Sequence, residues 1–305
     1  MSELEKAYRR IEELKDQLLK AVFQPRKIMS EEQTEYTLSN KEYHELPSTS
    51  HGSLECFRNS KRTYKAAFID KTLTRKQTPA MQLGSLVHAI VLEPQRMDKL
   101  YVVSEKHDRR TTAGKAAHAA FAESAGDREI VDADTMVKAA DIAHAVTSNK
   151  AALVLLDCDG IVEQPMFWEC PITGMKCRSK PDFRIPRLIV DLKTTQDATP
   201  QGFANAAARF GYARQAAWYR WGYELCAGGP CRFIFIAVST NEPYEVGLYE
   251  LSDWDIERSR LQNAKDLAEL SRCYLEDDWE GEHERGIVKL QLPKWVEYED
   301  QYQVY

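Results

Sequence analysis

The 305-residue chain lacks the features that mark membrane-embedded and secreted proteins. It contains no run of about 18 apolar residues, the length that a helix needs to span a bilayer, and no signal-peptide pattern follows Met1. It also shows no internal repeats and no low-complexity tract. With 43% hydrophobic residues, the chain can bury a sizeable core in one domain with extensions. We therefore expect a cytoplasmic protein without a membrane partner.

Cysteine pairs with CxxC spacing are also missing. The seven cysteines are an odd number and include no CxxC pair, a spacing that structural zinc sites commonly use. This pattern argues against a disulfide framework and against a structural zinc site. We expect free and mostly buried thiols.

The chain has no excess of positive charge. Its 41 lysines and arginines against 47 aspartates and glutamates give a formal net charge of −6, whereas non-specific binders of duplex DNA usually display a basic surface. The charge is unevenly spread, because acidic residues concentrate in residues 3–16 and 276–284. Basic residues recur at helical spacing in one segment, at Arg58, Lys61, Arg62 and Lys65.

The most informative stretch that is present is Lys180-Pro181-Asp182, followed by Asp191-Leu192-Lys193. The residues between these two motifs predict two short strands around a two-residue turn. Such a hairpin places Asp182 opposite Asp191, with their Cβ atoms roughly 4.5–5.5 Å apart. Two carboxylates this close can hold one cation between them, and oxygen ligands suit Mg²⁺ or Mn²⁺ better than Zn²⁺.

Lys193 lies two residues beyond Asp191, so strand alternation returns it to the same face. There its ammonium group can orient a water molecule or stabilise the charge of a phosphorane. The pattern therefore predicts a cation site that cleaves phosphodiesters. A surface hairpin with a salt bridge is the alternative interpretation.

Two helices are predicted to flank this hairpin. Gln215 and Tyr219 are four residues apart in a helical pattern and therefore share one face, where an amide and a phenol can bind a DNA backbone. Upstream, a short apolar helix carries His88, preceded by Gly84. A lone histidine on such a helix is either a metal ligand or a core residue with satisfied hydrogen bonds.

Taken together, these motifs resemble the PD-(D/E)xK nucleases, and within them the RecE (exodeoxyribonuclease VIII) family with its lambda-type exonuclease and Cas4-like relatives. The resemblance covers residues 36–280 and depends on the order and spacing of four motifs. These are Gly84-Ser85-Leu86-Val87-His88, Pro181-Asp182, Asp191-Leu192-Lys193 and Gln215-xxx-Tyr219. It implies an α/β restriction-endonuclease-like core, in which a mixed central sheet is flanked by helices.

The resemblance also implies roles for individual residues. His88, Asp182 and Asp191 would hold the metal, helped by the backbone carbonyl of Leu192. Glu163 is a further candidate ligand, because some relatives carry an acidic residue before the PD motif; a strand that faces water also often displays Glu. The predicted catalytic residues are Asp182, Asp191, Lys193, Gln215 and Tyr219, with Lys193 acting on the attacking water and the last two holding the strand.

Several basic residues are candidate DNA contacts. A loop from residue 108 to residue 111, followed by Lys115, is similar to a loop that recurs in RecE-type proteins, so Arg109, Arg110 and Lys115 are expected to grip phosphates. A solvated loop is the alternative. The second group is the helical segment described above, with Arg58, Lys61, Arg62 and Lys65.

The Cas4-like and AddB-like relatives hold an iron–sulfur cluster with one early cysteine and a later, closely spaced group. Here only Cys226 and Cys231 stand near each other, so no iron–sulfur cluster is expected. The RecE and lambda-type relatives form rings around duplex DNA, which implies a homo-oligomer, with a ring as its expected form.

The chain is predicted to divide into an N-terminal amphipathic helix and linker (1–35), a nuclease domain (36–280) and a C-terminal tail (281–305). The first segment has heptad spacing, which fits either a short coiled coil or a helix packed on its own domain.

The sequence therefore predicts a Mg²⁺-dependent DNA exonuclease, for which Mn²⁺ can substitute. It would degrade linear double-stranded DNA 5′-to-3′ and leave 3′ single strands for a single-strand annealing (RecT-like) partner. The direction of digestion and the partner are implied by the resemblance alone. The alternatives are a Cas4-like or single-strand-specific nuclease, and a non-catalytic DNA-end-binding protein with the same fold.

Overall fold

The computed structural model describes residues 40–74, 77–104 and 110–292. The predicted N-terminal helix and linker, Arg109 and residues 293–305 of the predicted tail lie outside the described residues. Among the described residues, no helix combines the length and the apolar character that crossing a membrane requires.

Helices and strands alternate along the described chain. The α-helices are α1 (Asn40–Glu45), α2 (His51–Asn59), α3 (Lys61–Tyr64), α4 (Pro79–Leu92), α5 (Met97–Leu100), α6 (Thr112–Ala125), α7 (Ala133–Ser148), α8 (Lys150–Leu156), α9 (Pro200–Phe210), α10 (Tyr212–Ala227) and α11 (Asp253–Glu276). The strands are β1 (Tyr101–Ser104), β2 (Glu129–Asp132), β3 (Ile161–Val162), β4 (Met166–Glu169), β5 (Lys176–Ser179), β6 (Phe183–Ile185), β7 (Leu188–Thr195), β8 (Arg232–Ser239) and β9 (Val246–Glu250).

Five strands form the central sheet in the order β3-β6-β7-β8-β9. The β7–β8 pair is parallel, and the other three pairs are antiparallel. Two smaller pairs stand apart from it, β1 with β2 and β4 with β5. The predicted α/β fold, a mixed central sheet flanked by helices, is confirmed.

The two faces of β7 pack against different helices. Leu188, Val190 and Leu192 face one core cluster, which contains residues of α4 and α7. Ile189 faces the other cluster, which contains residues of α9 and α10. Full burial of each such side chain stabilises the fold by roughly 1.5–3 kcal/mol. Asp191 and Lys193 share the parity of Ile189 and therefore face α10.

Helix α4 begins where the sequence signals a helix start. The side chain of Thr78 accepts a hydrogen bond from the backbone N–H of Met81, and Pro79 is the first helical residue. Gly84 then faces β7, because a Cβ atom built at this position would lie 3.2 Å from Oγ1 of Thr194. The glycine thus lets α4 approach the sheet closely, and one turn later the helix carries His88.

Three elements that the hydrophobic pattern predicts are interrupted in the structure. The pattern predicts continuous strands over residues 160–169 and 175–185, and one helix over residues 50–69. The first strand breaks after Val162, because Glu163 has a positive φ of 51°, and the second breaks at Pro181, which has no N–H to donate to a strand ladder. The helix breaks at Ser60, whose backbone is extended and whose side chain caps α3.

Candidate active site

The predicted hairpin is present in the predicted register. Phe183 pairs with Val190 across β6 and β7, so the next position along the hairpin brings Asp182 opposite Asp191. The turn is closed by Arg187, which has a positive φ of 62° and donates its N–H to the hydroxyl of Tyr223 over 2.7 Å. Both aspartates therefore lie at the open end of the hairpin, where β6 begins and β7 continues past it.

The two aspartates make different contacts. Oδ2 of Asp182 accepts a hydrogen bond from the backbone N–H of Leu192 over 2.8 Å and lies 3.3 Å from Nδ1 of His88. The carboxylate of Asp191 forms an ion pair with Lys193 and accepts a hydrogen bond from Nε2 of Gln215 over 3.2 Å. Asp182 is therefore directed towards α4, and Asp191 towards α10.

His88, Glu163 and Asp182 form a group whose ligand atoms all lie within 4.8 Å of one another. Glu163 enters this group because the chain turns after β3, and its backbone N–H donates to the carbonyl of Asp182 over 3.0 Å. The imidazole of His88 also hydrogen bonds to the backbone of Leu192. Three of the predicted ligand side chains thus lie together, beside the backbone of Leu192.

Asp191 is not a member of this group. The sequence predicts that Asp182 and Asp191 hold one cation together, but the carboxylate of Asp191 is engaged by Lys193 and Gln215. Its side chain is fully buried, whereas those of Asp182, Glu163 and His88 are 13%, 18% and 25% exposed. A cation that enters from solvent therefore meets these three residues first. Metal ligation by Asp191 stays a prediction.

Burial disfavours the charged forms of the carboxylates at this site, a cost that a bound cation would offset. Burial raises the pKa of Asp182 and of Glu163, and it raises the pKa of Asp191 to about 6. Burial and the nearby ammonium of Lys193 lower the pKa of His88, so its imidazole is neutral and able to ligate. Two carboxylates and an imidazole are a donor set that fits a divalent cation.

Lys193 is held in its charged form. Burial alone would lower its pKa, but the carboxylates of Asp191 and Asp182 outweigh burial, and the pKa is raised. Its ammonium also lies 5.3 Å from the ring centroid of Tyr212. Lys193 is therefore a positioned hydrogen-bond donor at this end of the sheet.

Gln215 and Tyr219 share one face of α10, as predicted, and are linked by a hydrogen bond. Tyr219 packs edge-on against Phe233 at a centroid distance of 6.0 Å. Burial raises the pKa of the Tyr219 phenol well above its usual range, so the phenol stays neutral. Gln215 therefore positions the carboxylate of Asp191 through its side-chain amide, and Tyr219 in turn contacts Gln215.

A cleft of about 580 Å³ opens in front of these residues. Its walls are formed by α4, the end of β7 and the junction of α9 with α10. The lining residues with ionisable side chains include His88, Glu163, Lys180, Asp182, Lys193 and Tyr212.

Lys180 also lies at the site, although the sequence motifs predict no role for it. Its Nζ lies 2.5 Å from Oε2 of Glu163, so a second lysine–carboxylate pair stands beside the candidate metal group. Its position directly before the Pro181-Asp182 motif was the signal that could have identified it.

Of the predicted DNA contacts that fall within the described residues, none lines this cleft. Those of α2, α3 and the turn that follows form ion pairs within the chain: Arg58 with Glu55, Lys61 with Glu269, Arg62 with Glu284 and Lys65 with Asp70. Lys115 is exposed on α6, and Arg110 is exposed just before that helix. Their binding to DNA stays a prediction.

Comparison with known proteins agrees with this architecture. Residues 50–285 match the family described as a PDDEXK-like domain of unknown function, DUF3799. Among solved structures, a presumed exonuclease from Eubacterium rectale aligns with a TM-score of 0.58 and 13% identity, over 88% of this chain and 98% of that chain. The structure of LHK-Exo in complex with dAMP aligns with a TM-score of 0.36 and 15% identity, over 76% of this chain and 93% of that chain.

No curated protein matches the chain in sequence. The family match nevertheless spans most of the chain, and the structural likeness to the Eubacterium rectale protein supports the same fold. The chain belongs to the PDDEXK-like family DUF3799, within the PD-(D/E)xK nuclease superfamily, and is an enzyme of the nuclease type.

Proposed function

We propose that this chain is a Mg²⁺-dependent DNA exonuclease that degrades linear double-stranded DNA 5′-to-3′ and leaves 3′ single strands. The observation that supports hydrolysis most directly is the convergence of His88, Glu163 and Asp182 in a cleft that also exposes Lys193. A binding protein has no evident need for a buried lysine–carboxylate pair beside a set of metal-ligand groups.

His88, Glu163, Asp182 and the carbonyl of Leu192 would hold the cation. When bound, Mg²⁺ supplies Lewis-acid polarisation of the phosphate and lowers the pKa of a coordinated water. Mn²⁺ is expected to substitute, because both ions accept oxygen ligands.

Lys193 acts on the attacking water and on the developing phosphorane charge. Because its pKa is raised, it donates hydrogen bonds at neutral pH and does not accept a proton. Asp191 fixes the ammonium through the ion pair, and Gln215 fixes the other oxygen of that carboxylate. Gln215 and Tyr219 are therefore positioning residues in this proposal, in addition to any contact with the strand.

The finer parts of the proposal come from the resemblance to RecE-type proteins. They are the 5′-to-3′ direction, the role in recombination beside a single-strand annealing protein, and assembly into a ring-shaped homo-oligomer. The residues on the walls of the cleft support the hydrolytic step.

The proposal is tested by digesting linear duplex DNA labelled at the 5′ or the 3′ end, with Mg²⁺ and with a closed circular control. Early release of 5′-labelled nucleotides from linear DNA only is the expected result. Lys193→Met should reduce the rate by about 10²–10⁴-fold. Lys65→Met should stay within about twofold, because Lys65 pairs with Asp70 outside the cleft. Nicking of circles would indicate an endonuclease, and absence of any cleavage would contradict the enzyme proposal.

A further inference from the structure

One aromatic side chain in the cleft has no role in the proposed chemistry. Phe210 is the last residue of α9, and it is 54% exposed although it lines the cleft. Exposed apolar side chains are common singly on protein surfaces. This one stands in the same cleft as Lys193 and the candidate metal group, so its position suggests a ligand.

Phe210 belongs to a rigid aromatic arrangement. Its ring stacks on that of Tyr212 at a centroid distance of 5.9 Å and an interplanar angle of 29°. Gly211 joins the two residues with a positive φ of 68°, a conformation that favours glycine, and it both ends α9 and begins α10. The relative placement of the two rings is therefore determined by the junction of two helices.

Tyr212 connects this arrangement to the core. Its ring lies 5.8 Å from the rings of Phe203 and Phe235, both of which are buried. A preformed aromatic surface loses little conformational entropy when a planar ligand stacks on it. Phe210 is thus the exposed end of an aromatic row that begins inside the protein.

Each of the two stacked rings has a cation against it. The guanidinium carbon of Arg209, an exposed residue, is 5.4 Å from the Phe210 ring centroid. The ammonium of Lys193 is 5.3 Å from the Tyr212 ring centroid. Aromatic rings accompanied by cations are complementary to a nucleotide, whose base offers a π-face and whose flanking phosphates are anionic.

We propose that Phe210 is a stacking platform for the nucleobase adjacent to the phosphate that is cut, and that Arg209, which lies over the Phe210 ring in the free protein, moves off the ring to a neighbouring phosphate when the base binds. The inference rests on the proposed nuclease function and deepens it. A base can stack on Phe210 only when its own π-face is not covered by the adjacent base of the duplex. The site therefore selects a strand end whose terminal base is unstacked. Stacking is tolerant of sequence, which suits an enzyme that digests any DNA.

The test is a thermodynamic cycle that combines a substitution in the protein with removal of a base from the substrate. Wild type and Phe210→Ala are compared on linear duplexes that carry an intact or an abasic nucleotide at the first or second position of the digested strand. We expect Phe210→Ala to lower kcat/KM by about 5- to 100-fold on intact DNA. On the abasic DNA the same variant should differ from wild type by less than about twofold, because the contact is already absent. An equal loss on both substrates, or no loss on either, would overturn the stacking role.

Matched variants separate stacking from general effects. Phe210→Trp should retain the activity, and Phe210→Leu, which keeps apolar surface without a π-face, should lose most of it. Phe167→Ala removes the same side chain from β4, where it is 40% exposed and outside the cleft, and should match wild type. Full activity of Phe210→Leu would contradict aromatic stacking.

A binding measurement distinguishes failure of the inference from failure of the proposed function. A 2-aminopurine at the same position is followed by fluorescence in Ca²⁺, where quenching reports stacking on the protein. Quenching that is lost in Phe210→Ala supports the platform even if wild type cleaves no DNA. Cleavage by wild type with unchanged quenching in Phe210→Ala would overturn the platform and leave the nuclease proposal in place.

Discussion

Lys180 and Lys193 each pair with a carboxylate at the candidate active site, and the two pairs differ in accessibility. The partner of Lys193 is Asp191, which is fully buried, and the partner of Lys180 is Glu163, which belongs to the candidate metal group. Lys193 thus stays charged and fixed, whereas a cation that enters the group competes with Lys180 for Glu163. The two lysines are therefore not equivalent, although both lie beside Asp182.

This difference makes a prediction for Lys180. Lys180→Met removes a positive charge next to the metal group, so we expect Mn²⁺ affinity at pH 8 to rise about tenfold. Lys176→Met is the matched control, because Lys176 is exposed at the start of β5. Isothermal titration calorimetry without DNA measures both. Unchanged or weaker Mn²⁺ binding by Lys180→Met would show that Lys180 does not compete with the cation.

His51, the first residue of α2, is expected to make the stability of the fold depend on pH. Nε2 of His51 is buried without a hydrogen-bond partner among the described residues, and burial lowers the pKa of His51 to about 4. Glu55 partly opposes this shift, while Arg214 and Lys193 add to it. The folded state therefore binds a proton less readily than the unfolded state, whose histidine has a pKa of about 6.5.

Because the pKa of His51 is lower in the folded state, protonation favours the unfolded state. The free energy of unfolding is therefore fully retained above pH 6.5 and falls as the pH drops from 6.5 towards 4. We expect wild type to lose about 1–2 kcal/mol more than His51→Gln between pH 7 and pH 5. Urea unfolding at both pH values measures this difference. Parallel pH profiles for the two proteins would contradict the assignment.

At the scale of elements, the hairpin of β6 and β7 was predictable because its information is local. Two apolar segments and a turn lie within thirteen residues, and strand alternation then sets which side chains oppose each other. The convergence of Glu163 with His88 was not derivable in this way. It depends on the backbone turn at Glu163 and on the packing of α4 against β7, which no local pattern encodes.

The basic segment shows the same limit. Helical spacing correctly indicates that Lys61 and Lys65 lie on helical turns, but it contains no information about the partners of these residues. Lys61 pairs with Glu269, which lies 208 residues away in α11. Ion pairs between distant elements form only once the fold is made, so a basic run in the sequence does not by itself mark a DNA-binding surface.

The close approach of α4 to β7 predicts that a larger side chain at Gly84 weakens metal binding. A methyl group at Gly84 would lie 3.2 Å from Oγ1 of Thr194, so Gly84→Ala should displace the helix that carries His88. We expect Mn²⁺ affinity to fall about tenfold, and removal of the Oγ1 atom in Gly84→Ala/Thr194→Ala to restore most of it. Calorimetric titration measures these affinities.

Gly52→Ala is the control for this prediction. Gly52 lies within α2, and a Cβ atom at this position meets nothing within 4 Å. The substitution should therefore leave Mn²⁺ affinity unchanged and stabilise the helix by up to about 1 kcal/mol. If Gly84→Ala behaved like Gly52→Ala, the close approach of α4 would not be what positions His88.

The negative net charge of the whole molecule is consistent with an enzyme whose site gains positive charge by binding a metal ion. The formal charge is −6, and the lysines that line the cleft, Lys180 and Lys193, are both engaged with carboxylates. Without a cation, the carboxylates of the site repel a phosphate backbone. DNA binding is therefore expected to require a divalent ion.

The proposed chemistry requires that His88, Glu163 and Asp182 bind a divalent cation. The measurement that tests it most directly is calorimetric titration of Mn²⁺ into wild type, Asp182→Asn and the control Asp70→Asn, whose Asp70 pairs with Lys65 away from the cleft. We predict saturable binding by wild type and Asp70→Asn, and at least tenfold weaker binding by Asp182→Asn. Equal binding by all three proteins, or no binding by wild type, would contradict the account.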